Sequence, residues 1–93
     1  MKYVMFCRKM GDDTLVFEPV LFGKNQVHSM VAKAFTRIRG NESFVPVSAG
    51  EFYWTSTGEV VCHGYSETLN LESDRKRDAK IIQHHDYGGG IFA

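Results

Sequence analysis

The chain has 93 residues, two cysteines, and eleven basic against eleven acidic side chains, for a formal net charge of zero. A chain of this length makes one domain that buries about 60–65% of its unfolded surface, so its core is real but modest. Neutrality excludes a protein held to nucleic acid or to an anionic membrane by bulk charge and leaves only local patches for such contacts.

No apolar run approaches the roughly 18 residues that a membrane-spanning helix needs. Met1 to Phe6 run straight into a strand pattern without an apolar leader region, so the expected home is the cytoplasm, with Cys7 and Cys62 reduced. Asn41-Glu42-Ser43 has the glycosylation spacing and is inert in that compartment.

Tyr3 to Cys7 is apolar on both alternating faces, Val4 and Phe6 on one and Tyr3, Met5 and Cys7 on the other. That pattern predicts an inner strand covered twice, or a strand at an interface. Gly11-Asp12-Asp13 is a turn signal, and Thr14 to Phe17 reads as the return strand, with Pro19 expected to stop it for want of a ladder donor. From Asn25 to Arg39, Val27, Met30, Val31, Ala34, Phe35 and Ile38 recur at helical spacing and form one apolar stripe. Asn25 is placed to cap the helix and Gly40 to end it, while Arg37 and Arg39 suit the negative end of the dipole. The stripe barely offsets the entropy of ordering its own helix and needs a sheet to lie on.

Phe44 to Trp54 reads as extended but is interrupted by Pro46 and Ser48-Ala49-Gly50, where a bulge or close packing is expected. Thr55 to Gly58 is a turn, and Glu59 to Tyr65 pairs back antiparallel. Thr68 to Leu71 extends that strand or begins a short fifth one. Ser73-Asp74 starts a second, weakly amphipathic helix that runs to about His85. Residues 87–93, with three consecutive glycines, are expected to form a flexible tail behind a single domain of residues 1–86. The order β-β-α-β-β-(β)-α predicts an α+β fold: an antiparallel sheet of four or five strands, one main helix on one face, and a short C-terminal helix.

No constellation compels a reaction. Cys62 and His63, as strand neighbours, point to opposite faces, which argues against a shared metal ion and against a thiol activated by that histidine. His84-His85-Asp86 has the same fault on a helix, and His28 has no partner at helical spacing, so neither a metal nor another cofactor is expected. Gly64-Tyr65-Ser66-Glu67-Thr68 lacks the closing glycine of a nucleophile elbow, and Gly88-Gly89-Gly90 precedes no helix that would offer amides to a phosphate. Glu51, Glu59, Glu67, Glu72 and Asp74 are acids with nothing to isolate a pair from solvent.

Two kinds of binding surface remain. One helix can cover only one face of such a sheet, so Tyr3, Met5 and Cys7, with Tyr53, Val61 and Tyr65 on neighbouring strands, are expected to form an exposed apolar patch that marks a protein interface. Alternatively Lys33, Arg37 and Arg39 at the end of the first helix and Arg75, Lys76 and Arg77 at the start of the second touch nucleic acid, with Phe52-Tyr53-Trp54 available for stacking.

A starting YVMF, the segment PVSAG, and GYSETLNLESDRKRDAKII together resemble a group of short uncharacterised proteins encoded in phages and prophages. The matching positions are Pro46, Val47, Ser48, Ala49, Gly50, Gly64, Ser66, Leu69, Ser73, Arg75, Asp78, Ala79 and Ile82; the chain departs at Glu51, at Thr68 and at an inserted Asp74. The resemblance implies a phage or prophage origin and brings no catalytic residue with it. Small neutral phage proteins without catalytic residues generally act by occupying a surface, so the expected function is non-enzymatic protein–protein binding. The partner is a host or phage protein, or a second copy in a homodimer. A nucleic-acid-binding accessory role is the alternative.

Overall fold

The structure is a computed structural model that describes residues 1–40, 43–85 and the backbone of 91–92. The expected tail, 87–93, therefore lies outside the described residues apart from the backbone at Ile91–Phe92, as does Asn41 of the glycosylation spacing. The architecture is α+β, with strands β1 (Lys2–Lys9), β2 (Leu15–Phe22), β3 (Val45–Trp54), β4 (Val60–His63), β5 (Tyr65–Ser66), β6 (Leu71–Glu72) and β7 (Ile91–Phe92). The helices are α1 (His28–Arg39) and α2 (Arg75–His84). The main sheet has the order β4-β3-β1-β2-β7; its first four strands pair antiparallel, and β7 joins β2 in parallel at one edge. β5 and β6 form a separate two-stranded ladder against β3.

Of the two placements that its apolar faces allowed, β1 takes the inner strand covered twice, and not the interface strand. Val4 and Phe6 meet Val20, Phe22 and Ala49 under Val31, Ala32 and Phe35 of α1. Tyr3 and Met5 meet Leu21, Phe52, Val60 and Cys62 under Ile82 of α2. The sheet is therefore covered by a helix on each face, where the sequence suggested cover on one. The second helix reaches the far face because the chain turns back at Gly64 (φ 82°) and the short β5–β6 ladder, which bring α2 against β4 and β2.

Several local expectations hold and others are corrected. Asp74 caps α2 by accepting from the Arg77 amide at 3.3 Å, and Gly40 ends α1 at φ 47° with its amide on the Thr36 carbonyl at 2.8 Å. Asn25, however, lies in the turn before α1; the capping position is Val27, whose extended backbone starts the helix without a side-chain bond. Pro19 does not stop β2 but sits inside it, opposite Met5. The Met10 amide bonds the Thr14 carbonyl, so alternation along the ladder turns the Pro19 nitrogen away from β1, and β7 joins β2 only at Leu21 and Phe22. No donor is missed there.

The interrupted segment 46–50 contains both expected devices. The β1–β3 register shifts between Met5 and Phe6, leaving one extra residue on β3. Gly50 then lies so close to the neighbouring turn that a Cβ there would meet the His63 carbonyl oxygen at 2.4 Å and Ser73 Cβ at 3.2 Å. Gly50→Ala is expected to force backbone apart and destabilise the fold by about 1–3 kcal/mol, read from urea denaturation. An unchanged midpoint would mean that the β4–β5 turn is free to move.

Candidate interaction surface

The structure relocates the apolar surface that the sequence suggested. Tyr3 and Met5 are fully buried and Cys7 nearly so, because α2 and its flanking residues Phe17, Val47, Ala79 and Ile81 close that face of the sheet. These three side chains are core, not interface. Tyr53 and Tyr65 are exposed and Val61 is half-buried, but register places Tyr53 and Val61 on the α1 side of the sheet, so the six residues never share one surface.

The exposed apolar surface lies on α1 instead. Of the six stripe residues, Val31 and Phe35 are buried, and the buried arc is completed by His28 and Ala32, which the stripe did not include. Met30 is 68% exposed and Ile38 71%, with Ala34 exposed between them and Val27 at the helix entrance. Residues 30, 34 and 38 follow the four-residue spacing that makes a ridge along a helix. The stripe is wider than the arc the sheet can cover, and its outer half faces solvent. That excess width was the signal in the sequence; reading the stripe as wholly buried missed it.

The charges carried by α1 itself are of one sign, while Glu51 and Glu67 lie in the cleft beside Val27 at its entrance. α1 contains Lys33, Arg37 and Arg39 and no acid. Arg39 folds back to Glu18 at 2.5 Å and lies 5.7 Å from the Phe35 ring centroid and 6.0 Å from that of Phe44. Lys33 and Arg37 have no acidic partner among the described residues; they line a shallow cleft with Ser29, Thr36, Thr68 and Leu69. Of the other basic trio, Arg75 and Lys76 border a cleft beside Tyr53, Val61 and His63. Arg77 turns inward, 4.9 Å from the Phe17 ring. The six cations thus divide into two pairs bordering separate clefts, without an acidic partner among the described residues, and two, Arg39 and Arg77, held in ion pairs.

Arg77 belongs to a buried polar cluster centred on Asp78, which is fully buried. Asp78 Oδ2 accepts from the Tyr3 hydroxyl at 2.6 Å, from Ser48 Oγ at 2.6 Å and from the Asp74 amide at 3.1 Å, while Oδ1 accepts from Arg77 Nε at 3.1 Å. Tyr3 has one proton and gives it to Asp78, so its oxygen accepts from Ser73 Oγ at 2.5 Å. Ser48 Oγ in turn accepts from Arg77 Nη2 at 2.9 Å. Burial and the acceptor at Asp78 push the Tyr3 hydroxyl far above its ordinary value, and burial with the nearby Asp78 charge pushes the Cys62 thiol up to about 12. Burial thus favours the protonated thiol and phenol beside a fully buried carboxylate that has four donors, an arrangement that holds its members in place. The cluster pins α2 to β1 and β3. Among the described residues no three of His, Cys, Asp and Glu converge as a metal site.

His28 opens α1 with its ring buried edge-on against Phe22 at 5.1 Å between centroids and its Nε2 3.0 Å from the Gly50 carbonyl. Burial lowers its pKa below 6.5, helped by the Lys2 charge and opposed by the Gly50 carbonyl and Glu51. Because the unfolded chain then binds a proton more readily than the native one, His28 leaves stability intact above pH 6.5 and erodes it as pH falls through the lowered native value. Melting temperature is therefore expected to drop on acidification below pH 6.5, and His28→Gln to flatten that slope. An equal slope in the variant would assign the effect to other groups.

The fold and this surface define an α+β protein with two helices among the described residues, one of which presents a basic, apolar face to solvent. In comparisons with known proteins, no family model, no curated protein and no solved structure matches the chain.

Proposed function

We propose that this protein is a non-enzymatic binding protein that acts on another protein through the outer face of α1. The observation that carries the reading is the exposure of Met30 and Ile38 on a regular helix whose other side is well packed. Burying large aliphatic and thioether side chains at an interface is favourable by about 1.5–3 kcal/mol each, and adaptable methionine suits a binding surface. The resemblance to short phage and prophage proteins supports the same reading, with action in a host cytoplasm where Cys7 and Cys62 stay reduced.

The alternative, a nucleic-acid-binding accessory role through the helix ends, has less support. Arg39 and Arg77 are engaged in ion pairs, and the other candidates, Lys33 with Arg37 and Arg75 with Lys76, form two separated pairs on a chain of zero net charge. Phosphate binding would show as a steep fall of affinity with salt.

Met30→Glu combined with Ile38→Glu tests the proposal, because both positions face solvent and the fold should keep its melting temperature. Immobilised wild-type protein is expected to retain a specific host or phage protein that the double variant loses and that a control with Arg75→Glu and Lys76→Glu keeps. Retention unchanged by the α1 variant would remove α1 as the interface.

A further inference from the structure

The ridge on α1 has a shape and a charge that narrow what can cover it. From Met30 to Ile38 it runs along α1, and at about 1.5 Å per residue it is roughly 12 Å long. Met30 and Ile38 stand as two knobs with the small Ala34 between them. That relief fits another helix laid along it, since a side chain from the docking helix can enter over Ala34 while Met30 and Ile38 pack to either side. A strand would need free backbone donors and acceptors, and those of α1 are taken up within the helix.

Charge then separates the candidate helices. Lys33 and Arg37 flank the ridge along one side, α1 carries no acid, and neither cation has an acidic partner among the described residues. A second copy of the chain fits poorly. In a two-fold antiparallel pair centred on Ala34 each flank meets its own counterpart, so Lys33 and Arg37 would face Lys33 and Arg37 of the other copy. A helix with carboxylates beside its apolar stripe has the complementary pattern.

Resting on the reading of α1 as the interface, we propose that the partner is a protein presenting an acidic amphipathic helix, whose apolar stripe covers Met30, Ala34 and Ile38 while its carboxylates meet Lys33 and Arg37. Opposite charge at such a rim raises the association rate and selects register more than it adds to affinity.

A display library of helical peptides with a fixed apolar stripe and randomised flanks, selected against the whole protein, tests this directly. Enriched peptides are expected to carry Asp and Glu in the flank that meets Lys33 and Arg37, and to associate more slowly as salt rises. Met30→Glu with Ile38→Glu should weaken them about a hundredfold or more. Lys33→Glu with Arg37→Glu should weaken them about tenfold and shift a repeated selection toward Lys and Arg in that flank. Enrichment of neutral or basic flanks, or no enrichment, overturns the acidic-helix proposal; if the Met30/Ile38 variant still loses a protein that wild type retains, the α1 reading stands without it. Sedimentation showing a dimer that Met30→Glu with Ile38→Glu dissolves would assign the ridge to a second copy. Single-stranded DNA or RNA bound with a steep salt slope that Lys33→Glu with Arg37→Glu removes would assign the cations to phosphate.

Discussion

Asp78→Ala is expected to be among the most damaging single substitutions in this chain, at about 3–5 kcal/mol, because it takes the shared buried acceptor from the Tyr3 and Ser48 hydroxyls and the inner partner from Arg77, which keeps only its outer ion pair with Asp74 at 3.3 Å. Three donors that lie in or at the edge of the core, the Tyr3 and Ser48 hydroxyls and the Arg77 guanidinium, lose it at once. The first two lie on β1 and β3, and the third lies in the first turn of α2, so the loss falls on the contacts that fasten the second helix to the sheet. Asp78→Asn keeps the shape and one acceptor but aims an amide N–H₂ at groups that already donate, and it should cost less than alanine yet remain clearly destabilising. Urea denaturation reads both. A midpoint for Asp78→Ala within error of wild type would mean that water enters and satisfies the cluster, and that the cluster does not anchor α2.

Phe35→Ala should cost a similar amount for an apolar reason. Phe35 stacks on Phe6 with centroids 4.0 Å apart, meets Phe44 edge-on at 5.6 Å and lies under the Arg39 guanidinium. Deleting a buried phenyl group costs about 3–5 kcal/mol, a large share of the stability of a domain this small. By contrast Met30→Ala and Ile38→Ala, on the same helix and from the same stripe, should move the melting temperature by no more than about two degrees, since those side chains are already in water. If all three substitutions behaved alike, the division of α1 into a packed and an open face would be wrong.

Much of the local structure was legible in the residues. Period-two alternation in Tyr3 to Cys7 marked a strand with two apolar faces without saying whether the second was core or interface, Asp74 and Gly40 marked helix ends, and the small residues before Glu51 marked a bulge or a close approach, of which the fold contains both. The helix ends are short-range effects, decided by hydrogen bonds within a few residues, whereas the bulge against β1 and the approach of Gly50 to His63 and Ser73 show only as small residues in the sequence and take their partners from elsewhere in the chain. Pro19 misled because its cost depends on which way its nitrogen points in a ladder, and that is set by pairing with a partner strand rather than by its neighbours.

The candidate surface was less legible, and the reason is tertiary. Periodicity says which residues share a face of an element: Tyr3 with Met5, Met30 with Ala34 and Ile38. It does not say which face another part of the chain will cover. That choice fell to the return of the chain through Gly64 and the β5–β6 ladder, which laid α2 on the Tyr3 face, buried the patch expected there and enclosed Asp78. The sheet beneath α1 accepts only the arc from Val31 through Phe35, His28 and Ala32, so the remaining apolar residues of the stripe were left outward. By itself the sequence determined the main elements, the end of α1 at Gly40, the start of α2 at Asp74 and the α+β class, because those follow from local geometry. Only the folded chain decided which of its two apolar excesses became core and which became surface, because burial depends on what packs opposite a residue, and that partner comes from far along the chain.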